Sequence, residues 1–132
     1  VADTWRALGA STLEISPKKH DEILARTSHV PHVIATLLVS LVQGIDSEET
    51  RKLVGTGLRD STRLAESSAE MWRDICLANN ATIREALDEF RELLDRTIEH
   101  LNREDEERLL TLLRETNLYR KSLFEDNRET NG

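Results

Sequence analysis

Apolar residues recur at helical spacing over the second half of the chain. Between Ile83 and Leu101 they fall every three or four positions, and most of the positions between them are charged or polar. A second apolar stripe follows a short polar connection at residues 102–105 and ends near Phe124. A short connection between two long helices favours antiparallel packing. The pattern therefore predicts a pair of helices over residues 83–124, followed by a flexible tail at 125–132.

The most apolar part of the chain lies within a longer predicted helix, Pro17–Val42. Ser16 is a favourable N-cap, and a proline is well tolerated in the first helical turn. Pro31 lies inside this helix and has no N–H to donate to the carbonyl of Thr27. Since a proline in a helix interior costs about 3 kcal/mol, we expect the helix to bend near Pro31.

Shorter elements complete the predicted fold. Helices are predicted at Asp3–Leu8, Thr50–Val54 and Ala69–Ala78, and a brief strand at Thr12–Ile15. Gly55–Arg63 is a polar, glycine-containing segment, whose glycines would permit a tight turn or a close approach of the backbone. A single strand has no partner in a helical chain, so it resembles the last piece of a sheet from a preceding domain. We therefore predict an all-α domain of five or six helices over residues 17–124. Residues 1–16 would be a short remnant of an α/β domain.

Composition and charge narrow the class of protein. The chain has 132 residues, 33% of them charged and 4% aromatic, which is typical of a Leu-rich helical domain. A net charge of −7 argues against nucleic-acid binding, because that requires a basic surface to neutralise phosphates. The longest apolar run is about ten residues, half of what a bilayer span needs. The single cysteine, Cys76, fits a reducing compartment. We expect a cytoplasmic protein with no membrane contact.

Histidines and a serine cluster near Pro31. Ser28 and His32 are four positions apart, so they share one face of a helix, and His29 lies beside that face. One interpretation is a polar site for a small ligand. Another is a metal site completed by His20 or a carboxylate, although no third ligand lies at a recognised spacing. A third is one buried, hydrogen-bonded histidine beside an exposed one. The residues alone leave these three interpretations open.

Charged side chains concentrate around the glycine-containing segment Gly55–Arg63. They are Arg59, Asp60, Arg63 and Arg73. The planar guanidinium suits a bidentate grip on a carboxylate, and an acidic chain would need such a local cluster to bind an anion. The alternative is a solvated network of ion pairs, each contributing little to stability.

Other conspicuous residues carry a weaker functional signal. Gly55 and Gly57 match neither a dinucleotide fingerprint nor a phosphate loop, because no strand precedes them and the required third glycine or Gly-Lys-Ser/Thr is absent. The sequence therefore predicts no nucleotide site within the chain. Trp5, Trp72 and Cys76 are expected to be core residues.

Several of these segments, in this order, resemble the C-terminal helical domain of prephenate and arogenate dehydrogenases. The matching segments are Trp5…Leu8-Gly9-Ala10, His20-Asp21, Ser28-His29-Val30-Pro31-His32…Ala35, Gly57-Leu58-Arg59-Asp60-Ser61-Thr62-Arg63 and Met71-Trp72-Arg73-Asp74-Ile75…Asn79. The resemblance covers about residues 1–120. Several motifs in one order are more specific than any one of them.

The resemblance implies the substrate-binding and dimerisation half of a dehydrogenase. Such an enzyme uses NAD or NADP for the oxidative decarboxylation of prephenate to 4-hydroxyphenylpyruvate, or of arogenate to tyrosine. The cofactor site and the catalytic histidine would lie in an N-terminal Rossmann-type domain, with residues 1–16 as its tail. No catalytic, cofactor-binding or metal-binding residue is then expected in this chain, which alone would be inactive. A non-catalytic helical interaction module is the alternative.

The resemblance also assigns roles to the histidine and arginine segments. Arg63 would hold a carboxylate of the substrate, and His32 and Ser28 would line the same pocket. His29 would be a supporting residue.

Three further positions match the substrate site of the family. Asp60 would pair with an arginine or shape the pocket entrance, Trp72 would form a wall of the pocket, and Gly57 would permit a close turn. The expected partners are prephenate or arogenate and a second copy of the chain.

Overall fold

The computed structural model describes residues 2–9 and 12–129, which contain helices and no strand. The α-helices are α1 (Ala2–Ala7), α2 (Pro17–Leu24), α3 (Val30–Gln43), α4 (Glu48–Leu53), α5 (Thr56–Thr62), α6 (Ala69–Ala78), α7 (Asn80–Asn102) and α8 (Glu106–Glu129). A π-helical segment, Ala25–His29, joins α2 to α3, and a 3-10 segment, Arg63–Glu66, follows α5. The predicted all-α class is confirmed.

The chain forms two compact units, and the boundary between them falls within α7, at Leu87. In the first unit, α3 packs against the π-helical segment, α5 and the 3-10 segment. The core of this unit is small and apolar, and its buried members are Ala25, Val30, Ile83 and Ala86. The second unit begins at Asp88 and contains the rest of α7 together with α8.

Local capping explains where several helices begin. The side chains of Ser16, Ser47 and Ser68 each accept a hydrogen bond from the backbone N–H three residues later, at 3.2, 3.0 and 3.3 Å. The Ser47 cap starts α4 two residues before the predicted Thr50. Helix α6 has the predicted bounds.

Pro31 lies near the start of a helix, whereas the sequence predicts it in a helix interior. The backbone N–H of Val30 donates to the carbonyl of Ala25, five residues back rather than four, which makes Ala25–His29 a π-helical segment. Pro31 then falls in the first turn of α3. Because an N–H in that turn has no partner within its helix, the missing donor of Pro31 costs little.

Two structural predictions are wrong, one near the N-terminus and one for the segment Gly55–Arg63. Thr12–Ile15 is irregular, because a strand needs a partner for its backbone groups and the described residues supply none. The segment Gly55–Arg63, for which a tight turn or a close backbone approach is predicted, is mostly the helix α5. Gly57 lies in its first turn, and a Cβ placed there would meet nothing within 4 Å. In this chain a close turn does not require Gly57.

Two expectations about the chain ends also need correction. Trp5 is 55% exposed and is not a core residue, because it lies on the short helix α1, outside the buried cluster. Helix α8 continues past Phe124 to Glu129, so residues 125–129 are helical rather than a loose tail. Residues 130–132 of the predicted tail lie outside the described residues.

Candidate functional site

A cavity of about 330 Å³ opens in the first unit, between α3, α6 and the segment after α5. Its walls are mostly apolar. The residues that line it are His32, Val33, Thr36, Leu37, Ala65, Ser67, Ala69, Trp72, Arg73 and Cys76. A mostly apolar cavity with a few convergent polar groups is the usual form of a small-molecule site.

His32 is the polar residue that this cavity buries. Its side chain lies within α3 and is 6% exposed. Nδ1 of its ring is buried and has no hydrogen-bond partner among the described residues. Burial lowers the pKa of His32 from its ordinary value of 6.5, so the ring is neutral at pH 7. A buried imidazole nitrogen that the described residues leave without a hydrogen bond is costly for stability, which makes it a candidate contact for a ligand.

Trp72 connects the two histidines that precede and follow Pro31. Its indole stacks on the ring of His32, with centroids 3.5 Å apart and planes 9° apart. The ring of His29 meets the same indole edge-on, at 6.1 Å and 79°. Nδ1 of His29 lies 3.3 Å from the side-chain nitrogen of Asn79. The structure thus brings His29, His32 and Trp72 together.

Ser28 lies apart from this ring cluster. It is half-buried in the π-helical segment and does not line the cavity. The predicted common face of Ser28 and His32 assumed a regular α-helix. The wider π turn changes the angular spacing along the chain, and it is His29 and His32 that both contact Trp72.

The arginines differ in their partners. Arg59 lies 3.6 Å from the carboxylate of Asp60, and Arg73 lies 2.8 Å from that of Asp74. Arg63 is exposed and forms no ion pair with any described residue. It is the first residue of the 3-10 segment, which packs against α3 and supplies Ala65 to the cavity wall. Arg63 itself does not line the cavity, whereas Arg73 does.

The remaining predicted site residues lie on exposed parts of their helices. Asp60 and Gly57 are exposed on α5. His20 is exposed on α2, with Nδ1 3.2 Å from the carboxylate of Asp21. Over residues 2–9 and 12–129, no three His, Cys, Asp or Glu side chains are grouped so that they could hold a metal ion. None of the described helices combines the length and apolar character of a membrane span.

No functional role is predicted from the sequence for Thr36, Cys76 or Asn79. The hydroxyl of Thr36 donates to the carbonyl of His32 at 3.1 Å, and Thr36 lines the cavity. Cys76 also lines the cavity and packs against the core. The four-residue spacing of His32 and Thr36 and of Trp72 and Cys76 was the available signal for a shared helix face.

Comparisons with known proteins identify the family of this chain. The sequence model of the family described as "Prephenate dehydrogenase, dimerization domain" matches residues 16–115. The chain is 36% identical over 122 residues to the prephenate dehydrogenase of Bacillus subtilis (strain 168), covering 89% of this chain and 32% of that protein. It is 37% identical over 93 residues to the cyclohexadienyl dehydrogenase of Zymomonas mobilis, covering 68% of this chain and 32% of that protein.

Solved structures show the same likeness. The crystal structure of prephenate dehydrogenase from A. aeolicus, in complex with hydroxyphenyl propionate and NAD+, matches with a TM-score of 0.84 at 33% identity. That match covers 92% of this chain and 43% of the other. A Synechocystis arogenate dehydrogenase has a TM-score of 0.86 at 23% identity, which shows the fold alone. The chain spans about a third of the length of these curated relatives.

Proposed function

This chain belongs to the prephenate dehydrogenase family, whose dimerization domain it carries, and on that premise we propose that it is the substrate-binding and dimerisation half of a prephenate dehydrogenase. The full-length protein would catalyse the NAD(P)-dependent oxidative decarboxylation of prephenate to 4-hydroxyphenylpyruvate, a step of tyrosine biosynthesis.

The stacked ring pair of the buried His32 and the half-buried Trp72 is the observation that carries the proposal. The indole gives the cavity a flat apolar wall that fits a six-membered carbon ring. Nδ1 of His32 is a buried polar atom with no hydrogen-bond partner among residues 2–9 and 12–129, so a polar group of the ligand would supply a hydrogen bond that these residues do not. The solved relative that holds hydroxyphenyl propionate is a precedent for a ring-bearing carboxylate in this family.

Arg63 is the residue that we propose for the substrate carboxylate. Prephenate carries two carboxylates, and a chain of net charge −7 attracts neither at long range. Arg63 has no carboxylate partner among the described residues, whereas Arg59 and Arg73 are both paired. An unpaired guanidinium can give both of its parallel N–H groups to the ligand without first breaking an ion pair. Ser28, Asp60 and Gly57 would complete the surroundings of the site.

The residues described here do not suit a nicotinamide dinucleotide. Dinucleotide sites of this kind lie where a strand ends and a glycine-rich turn opens a helix, and the described residues contain no strand. We propose that NAD or NADP binds outside these 132 residues. Accordingly, the chain by itself would not oxidise prephenate, and its own contribution would be to bind and orient the substrate.

Exposed apolar side chains on α7 and α8 support a homodimer. On α7 they form one helical stripe, Phe90, Leu94, Ile98 and Leu101, and these residues are 38–58% exposed. An amphipathic helix normally buries such a stripe against a partner. The match to a dimerization domain makes a second copy of the chain the partner that we propose.

The test is a steady-state assay of the full-length protein with prephenate or arogenate and with NAD or NADP. We expect reduced cofactor to form with prephenate, and the quenching of tryptophan fluorescence to report prephenate binding. A clear preference for arogenate would assign the chain to an arogenate dehydrogenase instead. If neither compound is oxidised or bound, the proposal is wrong, and a non-catalytic helical interaction module becomes the better interpretation.

A further inference from the structure

One hydrogen bond in the first unit joins two half-buried side chains that are far apart in the sequence. The side-chain nitrogen of Asn79 lies 3.3 Å from Nδ1 of His29, 50 positions earlier. Most side-chain hydrogen bonds in the described chain are local, such as that between Arg51 and Asp46, five positions apart. The bond between Asn79 and His29 therefore connects the junction of α6 and α7 to the π-helical segment.

Both backbone groups of Asn79 form hydrogen bonds. Its N–H donates to the carbonyl of Ile75 at 3.1 Å and ends α6, and its carbonyl accepts from the N–H of Ile83 at 3.0 Å as α7 begins. Ile83 is itself a buried core residue. Because these bonds fix the backbone of Asn79, its side chain reaches His29 from a well-defined position.

The chemistry of the two groups assigns the proton on His29. An amide nitrogen can donate a hydrogen bond but cannot accept one, so Nδ1 of His29 must be the acceptor. In the neutral ring the proton then lies on Nε2. The ring held in this way meets the indole of Trp72 edge-on, and the indole in turn stacks on His32.

We infer that Asn79 is a positioning residue for the substrate pocket. Its amide fixes the tautomer and the ring orientation of His29, and His29 holds Trp72 flat against His32. The effect on substrate binding rests on the proposed function, whereas the effect on the His29 ring does not. The two parts can therefore be tested separately.

The first test uses Asn79→Asp, which keeps the shape of the side chain and replaces its donor by an acceptor. In the full-length protein labelled with 15N-histidine, we expect Nδ1 of His29 to be unprotonated in the parent and protonated in the variant. The His29→Gln variant identifies the signal. Asn80→Asp is the matched control, because it introduces the same charge one position away on an exposed side chain. Unchanged His29 nitrogen signals in Asn79→Asp would overturn the inference.

The second test measures prephenate kinetics of the same variants. Asn79→Asp should raise KM about tenfold, the effect of one lost hydrogen bond, with a smaller change in kcat, and Asn80→Asp should change neither. A changed His29 ring with an unchanged KM would overturn the link to the pocket. If the parent protein does not oxidise prephenate but the His29 signals change as expected, the proposed function fails and the tautomer assignment stands.

Discussion

The indole of Trp72 lies parallel to the imidazole of His32, with 3.5 Å between the ring centroids. This contact joins α6 to α3 and forms one wall of the cavity. His32 itself is only 6% exposed. This pair of rings thus places an apolar indole surface beside a buried polar atom in the wall of the cavity, which makes the cavity a candidate substrate site.

Removing the guanidinium of Arg63 should impair catalysis more than removing that of Arg59. We expect Arg63→Ala to lower kcat/KM for prephenate about 100-fold in the full-length enzyme, as for the loss of one charge-assisted contact. Arg59→Ala is the matched control, because Arg59 is exposed on α5 and already faces Asp60. Steady-state kinetics measure both. Equal effects of the two variants, or a larger effect of Arg73→Ala, would contradict the role proposed for Arg63.

Stability should depend on pH through His32. Burial lowers the pKa of His32 below 6.5 in the folded chain. Well above pH 6.5 the ring of His32 is neutral in both the folded and the unfolded chain. As the pH falls below 6.5, the unfolded chain takes up the proton before the folded chain does, so the free energy of unfolding decreases. Urea denaturation between about pH 5 and pH 8 should show this decrease. His32→Phe should remove this part of the pH dependence, and His20→Gln, at an exposed position, should retain it.

Pro31 should lower the free energy of unfolding only slightly. Because it lies in the first turn of α3, Pro31→Ala should change the free energy of unfolding by less than about 1 kcal/mol, rather than recover the roughly 3 kcal/mol of an interior proline. Urea denaturation measures the difference. Val33→Pro, which places a proline deeper in the same helix, is the contrasting variant and should be strongly destabilising. A gain of stability near 3 kcal/mol in Pro31→Ala would show that the π-helical segment does not relieve the proline.

The apolar stripe of α7 should hold two copies of the protein together. A charge placed within it, as in Leu94→Glu, should shift the full-length protein from dimer to monomer, because burying an unpaired carboxylate is costly. Arg96→Glu introduces the same side chain on the polar side of α7 and should leave the dimer intact. Sedimentation velocity distinguishes these states. A dimer that persists in Leu94→Glu would place the interface elsewhere.

Local signals in the sequence are sufficient to predict most of the helices. The Ser68 cap and the asparagines after Ala78 define α6 within a few residues, and the apolar spacing defines α7 in the same way. These signals act between neighbours in the chain, so the sequence reveals them directly. The order of the motifs from Trp5 to Asn79 also indicates the family from the sequence alone.

The contacts of the candidate site were decided by the tertiary structure. The sequence placed Ser28 with His32 on a regular helix, but the π-helical segment before Pro31 changed that geometry, and it is His29 that shares the indole of Trp72 with His32. The partner of His29 is Asn79, from another part of the chain. Ring stacking and burial arise from packing between elements that are distant in sequence, and no local pattern of residues encodes which of their faces will meet.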